Sequence, residues 1–174
     1  MVAPAKLTIS LRVTGVRPDG FHLIDAEMVT LNLHDVLTIT DAAQSSMTVS
    51  GPFADGVPTD ASNLCMRAAE FAQRPARIHL EKQIPHGGGL GGGSADAAAV
   101  LRWAGVSDVA STVGLGADIP FCLLGGRARV QGIGEVLTEL PHVDHMFTLI
   151  APPLHVSTPA VYQAWDELGG PQNV

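Results

Sequence analysis

Residues 85–96 read Pro85-His86-Gly87-Gly88-Gly89-Leu90-Gly91-Gly92-Gly93-Ser94-Ala95-Asp96, and six of the seven residues from Gly87 to Gly93 are glycine. Before this stretch, Ile78 to Leu80 predict a short strand that Pro85 breaks; after it, Ser94 opens a helix whose first turns carry Ala95, Ala97, Ala98 and Ala99. A strand, a glycine loop and a helix in that order suit the capture of phosphate. Backbone N–H groups can approach an anion with no Cβ in the way, and the helix start adds unpaired donors and the positive end of its dipole. A flexible linker is the plainer alternative, but Leu90 and the run of alanines point to packing.

The 174 residues are 46% hydrophobic and 16% charged, which suits one domain with a filled core and excludes a disordered chain. A net charge of −7 argues against nucleic acid and against an anionic membrane surface, so any anion must be captured locally. The two cysteines, Cys65 and Cys122, are too few and too far apart for a disulfide framework or a structural zinc site. With no long apolar segment in the sequence, the expectation is a soluble cytoplasmic protein.

Outward from the loop, Leu7, Ile9, Leu11 and Val13 alternate with Lys6, Thr8, Ser10 and Arg12, the pattern of a half-buried strand with Lys6 on its polar side. Arg17-Pro18-Asp19-Gly20 predicts a turn, followed by strands over 21–33, 36–40 and 47–50. A helix is expected over 60–73, capped by Asp60 or Ser62. Further strands are expected over 127–131, 136–140 and 147–151, and a last helix from Ser157 or Thr158 to Gly169-Gly170-Pro171. Without regular βαβα alternation, the fold class is α+β.

Known phosphate loops fit poorly. A Walker A loop needs a lysine after the glycines, and none is there. Gly87, Gly89 and Gly92 formally satisfy the dinucleotide pattern with Asp108 as ribose carboxylate, which keeps an oxidoreductase as a minor alternative. Lysine usage is a separate clue: beside eight arginines the only lysines are Lys6, in the first strand, and Lys82, just before the loop. His142 and His145 lack a third ligand and read as a surface turn.

Four segments together resemble the GHMP small-molecule kinases: Ala3-Pro4-Ala5-Lys6-Leu7, Arg17-Pro18-Asp19-Gly20-Phe21-His22, the loop 85–96, and Leu115-Gly116-Ala117-Asp118-Ile119-Pro120-Phe121. Gly132-Ile133-Gly134-Glu135 and Ser157-Thr158-Pro159-Ala160-Val161-Tyr162 extend the likeness. The resemblance implies a GHMP kinase N-terminal domain, of the ribosomal protein S5 domain 2-like fold, over residues 1–145. Residues 146–174 would begin a second α+β domain, the remainder of which would lie beyond the chain. It further implies ATP-dependent phosphorylation of a hydroxyl on cytidine diphosphate methylerythritol, with Mg²⁺ accompanying ATP and the protein a monomer or weak homodimer.

Carried over by resemblance, Asp118 is the catalytic base and Lys6 its cationic partner. Lys82, Pro85, His86, Gly87, Gly88, Gly89, Leu90, Gly91, Gly92, Gly93, Ser94 and Ala95 bind ATP, and Thr8, Phe21, His22, Thr158 and Tyr162 bind substrate, with His22 on the cytosine and Tyr162 stacking against it. Phe21 stands where the family more often has tyrosine, and Thr8 where it often has asparagine. For Asp118 the plain alternative is a helix N-cap before Ile119-Pro120; for Asn63 it is a helix start. A non-catalytic nucleotide-binding homologue is the main functional alternative.

Overall fold

The computed structural model describes residues 1–150 and 157–170. Six strands form one sheet: β1 (Val2–Val16), β2 (His22–Asp41), β3 (Ser46–Ser50), β4 (Ala76–Glu81), β5 (Arg127–Gly132) and β6 (Val136–Glu139). Four α-helices accompany them: α1 (Leu64–Phe71), α2 (Gly92–Ala104), α3 (Ile119–Leu124) and α4 (Thr158–Glu167), with a 3₁₀ turn at Ala110–Gly114. The α+β expectation holds, and the sheet has one parallel pair, β3 with β4.

The strand β2 is the spine. It pairs antiparallel with β1 from Val36 back to His22, with β5 over residues 24–29, and with β4 over residues 36–41. Two separate strands were expected here, over 21–33 and 36–40. They are one strand because β4 takes up pairing at Val36, where β1 ends opposite it. Asp35, the polar residue that makes the sequence look interrupted, is fully buried at this handover.

The strand β1 departs from simple alternation. Its register against β2 shifts between Pro4 and Lys6, between Thr8 and Ser10, and between Val13 and Gly15. Each such irregularity reverses which face the following side chains take. Lys6, expected on the polar side, is therefore buried at 7% exposure, whereas Ile9 and Leu11 are 42% and 50% exposed.

The helices pack on one face of the sheet. Ala97, Ala98, Ala99, Val100 and Leu101 of α2 are all fully buried, with Leu37, Ile78 and Leu80 from the sheet, Ala68 and Ala69 from α1 and Ile119 from α3 in the same cluster. Small side chains round α2 let three neighbours approach, which is why this helix lacks a polar face in its middle. A smaller cluster of Ala5, Ile84 and Leu90 fastens the glycine loop to β1.

Several ends differ from the sequence expectation. The cap of α1 is Asn63, whose side chain accepts the Cys65 N–H at 2.8 Å, while Asp60 accepts from the Ser62 N–H and hydroxyl in the preceding turn. Helix α2 starts at Gly92, two residues before Ser94, because Gly91 in the left-handed region supplies the entry. Residues 147–150 form no strand, and Ala151 lies outside the described residues, as does Pro171 after the last helix. Asp108 sits before the 3₁₀ turn, accepting the Ser111 N–H, and not at a strand end as a dinucleotide fold requires. No helix among the described residues is long and apolar enough to cross a membrane.

Candidate active site

The glycine loop, the first half of β1, the start of α3 and helix α4 enclose a cleft of about 790 Å³. Its geometry begins with Lys6. The Lys6 backbone N–H donates to the Leu90 carbonyl at 2.9 Å, so β1 and the loop are held edge to edge. Its side chain then runs past Gly91, where a Cβ would stand 2.7 Å from Lys6 Cγ. Gly91 has φ +65°, so this position needs glycine for both backbone and space.

The Lys6 ammonium reaches Asp118 Oδ2 at 3.2 Å and donates to the Thr8 hydroxyl at 3.2 Å. Asp118 does occupy the N-cap position of α3, but its side chain makes no capping hydrogen bond; the carboxylate turns to Lys6 instead. The pair is unequal in exposure, Lys6 9% and Asp118 30% at the side chain. A sheltered cation thus faces a carboxylate that opens on the cleft.

At the loop, Gly92, Gly93 and Ser94 are the first three residues of α2, and the first bond of the helix runs from the Ala95 N–H to the Gly91 carbonyl. Their own N–H groups have no acceptor inside the helix and point out from its start. Combined with the glycine side of the cleft, these donors fit the phosphates of a nucleotide.

Below them lies a buried ionic cluster. Lys82, 3% exposed, donates to Asp96 Oδ2 at 2.8 Å and also bonds Asp35 Oδ2. Asp35 Oδ1 accepts the backbone N–H groups of Gln83 and of Ile84. Burial is the largest influence on Asp96 and pushes its carboxyl up to about 7, against the opposing pull of Lys82.

On the other side, Tyr162 of α4 stacks on His22 with ring centroids 4.5 Å apart, and Trp165 meets the same imidazole edge-on at 5.6 Å. His22 Nε2 lies 2.8 Å from Asp166 Oδ1. Burial, then the charge of Asp118, raise the Tyr162 phenol above its usual range. No residue of α4 is itself buried, so its contact with the rest runs through this aromatic group.

All the candidate residues line this one cleft except Ala95, which is 1% exposed and lies behind the lining in the core. Lys82 contributes to the floor with its ammonium already held by two carboxylates. Asp35, Asp96 and Asp166 join the site without any motif that marks them in the sequence. A lone aspartate in an alanine-rich helix was the available signal for Asp96, because a buried charge requires a partner. Nothing local announced Asp166. Asn63 serves as a helix cap, and among the described residues no three His, Cys, Asp or Glu side chains converge as a metal site.

Residues 63–126 match the model of the GHMP kinases N-terminal domain. The chain is 48% identical over 163 residues to a 4-diphosphocytidyl-2-C-methyl-D-erythritol kinase of Paracoccus denitrificans, covering 93% of this chain and 59% of that relative. A kinase of the same name from a Jannaschia species is 44% identical over 176 residues, covering 97% of this chain and 64% of the relative. Among solved structures, a 4-(cytidine 5'-diphospho)-2C-methyl-D-erythritol kinase superposes with a TM-score of 0.71 at 37% identity, covering 94% of this chain and 63% of the other. The chain thus spans less than two thirds of the length of these relatives.

Proposed function

We propose, from the match of residues 63–126 to the GHMP kinases N-terminal domain and from the relatives' names, that the chain is the nucleotide-binding portion of an ATP-dependent kinase acting on the 2-hydroxyl of 4-diphosphocytidyl-2-C-methyl-D-erythritol, in non-mevalonate isoprenoid precursor synthesis. The observation that carries this reading is the Lys6–Asp118 pair, 3.2 Å apart, in the same cleft as the glycine loop. Residues 1–145 are assigned to the nucleotide lobe and 146–174 to the start of a second one.

Asp118 accepts the proton of the substrate hydroxyl as its oxygen attacks the γ-phosphorus of ATP, and ADP departs with the electrons of the broken bond. Lys6 holds the Asp118 carboxylate in place and offsets negative charge that gathers as the oxygen is deprotonated. Residues 87–94 receive the phosphates through backbone donors, with the Ser94 hydroxyl beside them. Crowding at Gly91 and Gly92 supports the fit, since a side chain at either would intrude on Lys6 or Lys82. Those phosphates would bring Mg²⁺ with them, and the ion would spread their charge.

The cytidine end is assigned to the opposite wall: Phe21, His22 and Tyr162 for the base, with Thr8 and Thr158 toward the sugar alcohol. The names of the relatives supply the substrate class; Tyr162 stacks on His22 itself, so the base is assigned to an outer face of this aromatic pair and not to a slot between the rings. The test is incubation of the full-length protein with ATP, Mg²⁺ and the cytidine diphosphate alcohol. ADP formation matched by a phosphate ester on the 2-hydroxyl supports the reading. ATP binding without transfer would replace it with that of a non-catalytic nucleotide-binding homologue.

A further inference from the structure

The buried cluster under the glycine loop takes no part in the transfer just described. In it two carboxylates share one ammonium. Asp35 is satisfied through both oxygens, by Lys82 on one side and the Gln83 and Ile84 N–H groups on the other. Asp96 is not: Oδ2 accepts from Lys82, while Oδ1 is buried and has no hydrogen-bond partner among the described residues. With both carboxylates ionised the cluster is net negative.

That charge lies directly beneath the place built for an anion. A Cβ on Gly92, the first residue of α2, would stand 2.8 Å from the Lys82 ammonium. Asp96 is therefore one hydrogen bond beyond a group in contact with the helix start. Charges so placed, with little water between them, interact strongly. Phosphates at the loop favour the neutral form of Asp96, and its unpartnered Oδ1 is the atom free to take the proton.

The other groups around it do not compete. Cys65 on α1 and Cys122 on α3 both feel the Asp96 charge, and burial holds both thiols protonated, Cys122 up at about 12. Lys82 and Asp35 face it from the sheet, and Lys6 on β1 lies one residue over, against Gly91. His86 and His22 line the cleft itself, and loss of the proton uptake in Asp96→Asn separates Asp96 from them.

Resting on the nucleotide reading above, we propose that Asp96 is the positioning residue of the phosphate loop: with Lys82 and Asp35 it ties the start of α2 to the sheet, and it takes up a proton from solvent when the phosphates of ATP bind. One O–H bond forms at Oδ1 and no bond of the nucleotide changes. The neutral acid keeps its Oδ2 contact to Lys82, which then balances Asp35 alone. Near neutral pH the carboxyl is poised for this, since burial pushes it up to about 7.

Calorimetry of the full-length protein with MgATP at about pH 7.5, in two buffers of different ionisation enthalpy, should report uptake of roughly half a proton. The apparent KM for ATP should rise by about threefold per pH unit around pH 7.5, as uptake of half a proton requires, while kcat is unmoved by this group. Asp96→Asn should bind ATP with neither effect. Equal heats in the two buffers for the unmodified protein, or uptake that persists in Asp96→Asn, would overturn the proposal while leaving ATP binding intact. Absence of ATP binding at every pH would overturn the nucleotide reading and this inference with it.

Discussion

The Lys6 ammonium and the Asp118 carboxylate stand 3.2 Å apart because a register irregularity in β1 turns Lys6 inward and α3 starts with its N-cap facing it. Asp118→Asn removes the proposed proton acceptor but little volume, so kcat should fall by about 10²- to 10⁴-fold with the KM for ATP nearly unchanged, measurable by ADP release. Lys6→Ala should lose less, and the double variant should lose less than the two effects combined, since both act on one proton transfer. Asp96 affects stability as well. A folded carboxyl at about 7 against about 3.9 for an unfolded aspartate means that the folded state holds more protons in that window. Its stabilising contribution is complete below about pH 4 and is lost as pH rises through about 7. Thermal melts of Asp96→Asn should therefore show a shallower decline between about pH 5 and about pH 8 than the unmodified protein. Lys6 was visible in the sequence through the scarcity of lysine, and Asp118 through its motif. Asp35 was not, because its partners are 47 to 49 residues away along the chain.

At the scale of elements, the glycine loop and α2 act as one piece. Gly92→Ala would set a methyl 2.8 Å from the Lys82 ammonium and 3.2 Å from Ile84 Cγ2, between groups already fixed by burial. The variant should lose about 1–3 kcal/mol of stability and weaken ATP binding about tenfold or more. Gly89→Ala is the comparison: it has φ +70° and nothing within 4 Å, so it should cost only the backbone strain of about 1–2 kcal/mol. Calorimetric titration of both with ATP separates crowding of the cradle from strain in it. The strand, loop and helix were legible from proline, glycine and alanine. The exact start of α2 was not, since Gly91 does the work of entry that a capping side chain does elsewhere. In β1 the two-residue period identifies a strand but not its faces, because irregularities arise from pairing with β2 and leave no local trace.

For the whole molecule, the sheet with its helices makes one wall of the cleft and α4 leans on it through His22, Tyr162 and Asp166. Asp166→Asn removes the carboxylate beside His22 Nε2, and should raise the KM for the cytidine substrate several-fold while sparing that for ATP; a change in the ATP value instead would separate α4 from the substrate wall. Composition and strand patterning were enough for the α+β class. They could not supply the handover of β2 from β1 to β4 at Val36, which depends on three strands meeting. The same handover buries Asp35 and so fixes the floor of the loop. The most direct measurement is single-turnover transfer from ATP to the 2-hydroxyl of the cytidine diphosphate alcohol, compared between the unmodified full-length protein and Asp118→Asn at saturating ATP. The expected result is a phosphate ester formed by the former, and by the latter unaltered ATP binding with transfer slowed by about 10²-fold or more; equal rates for the two proteins would contradict it.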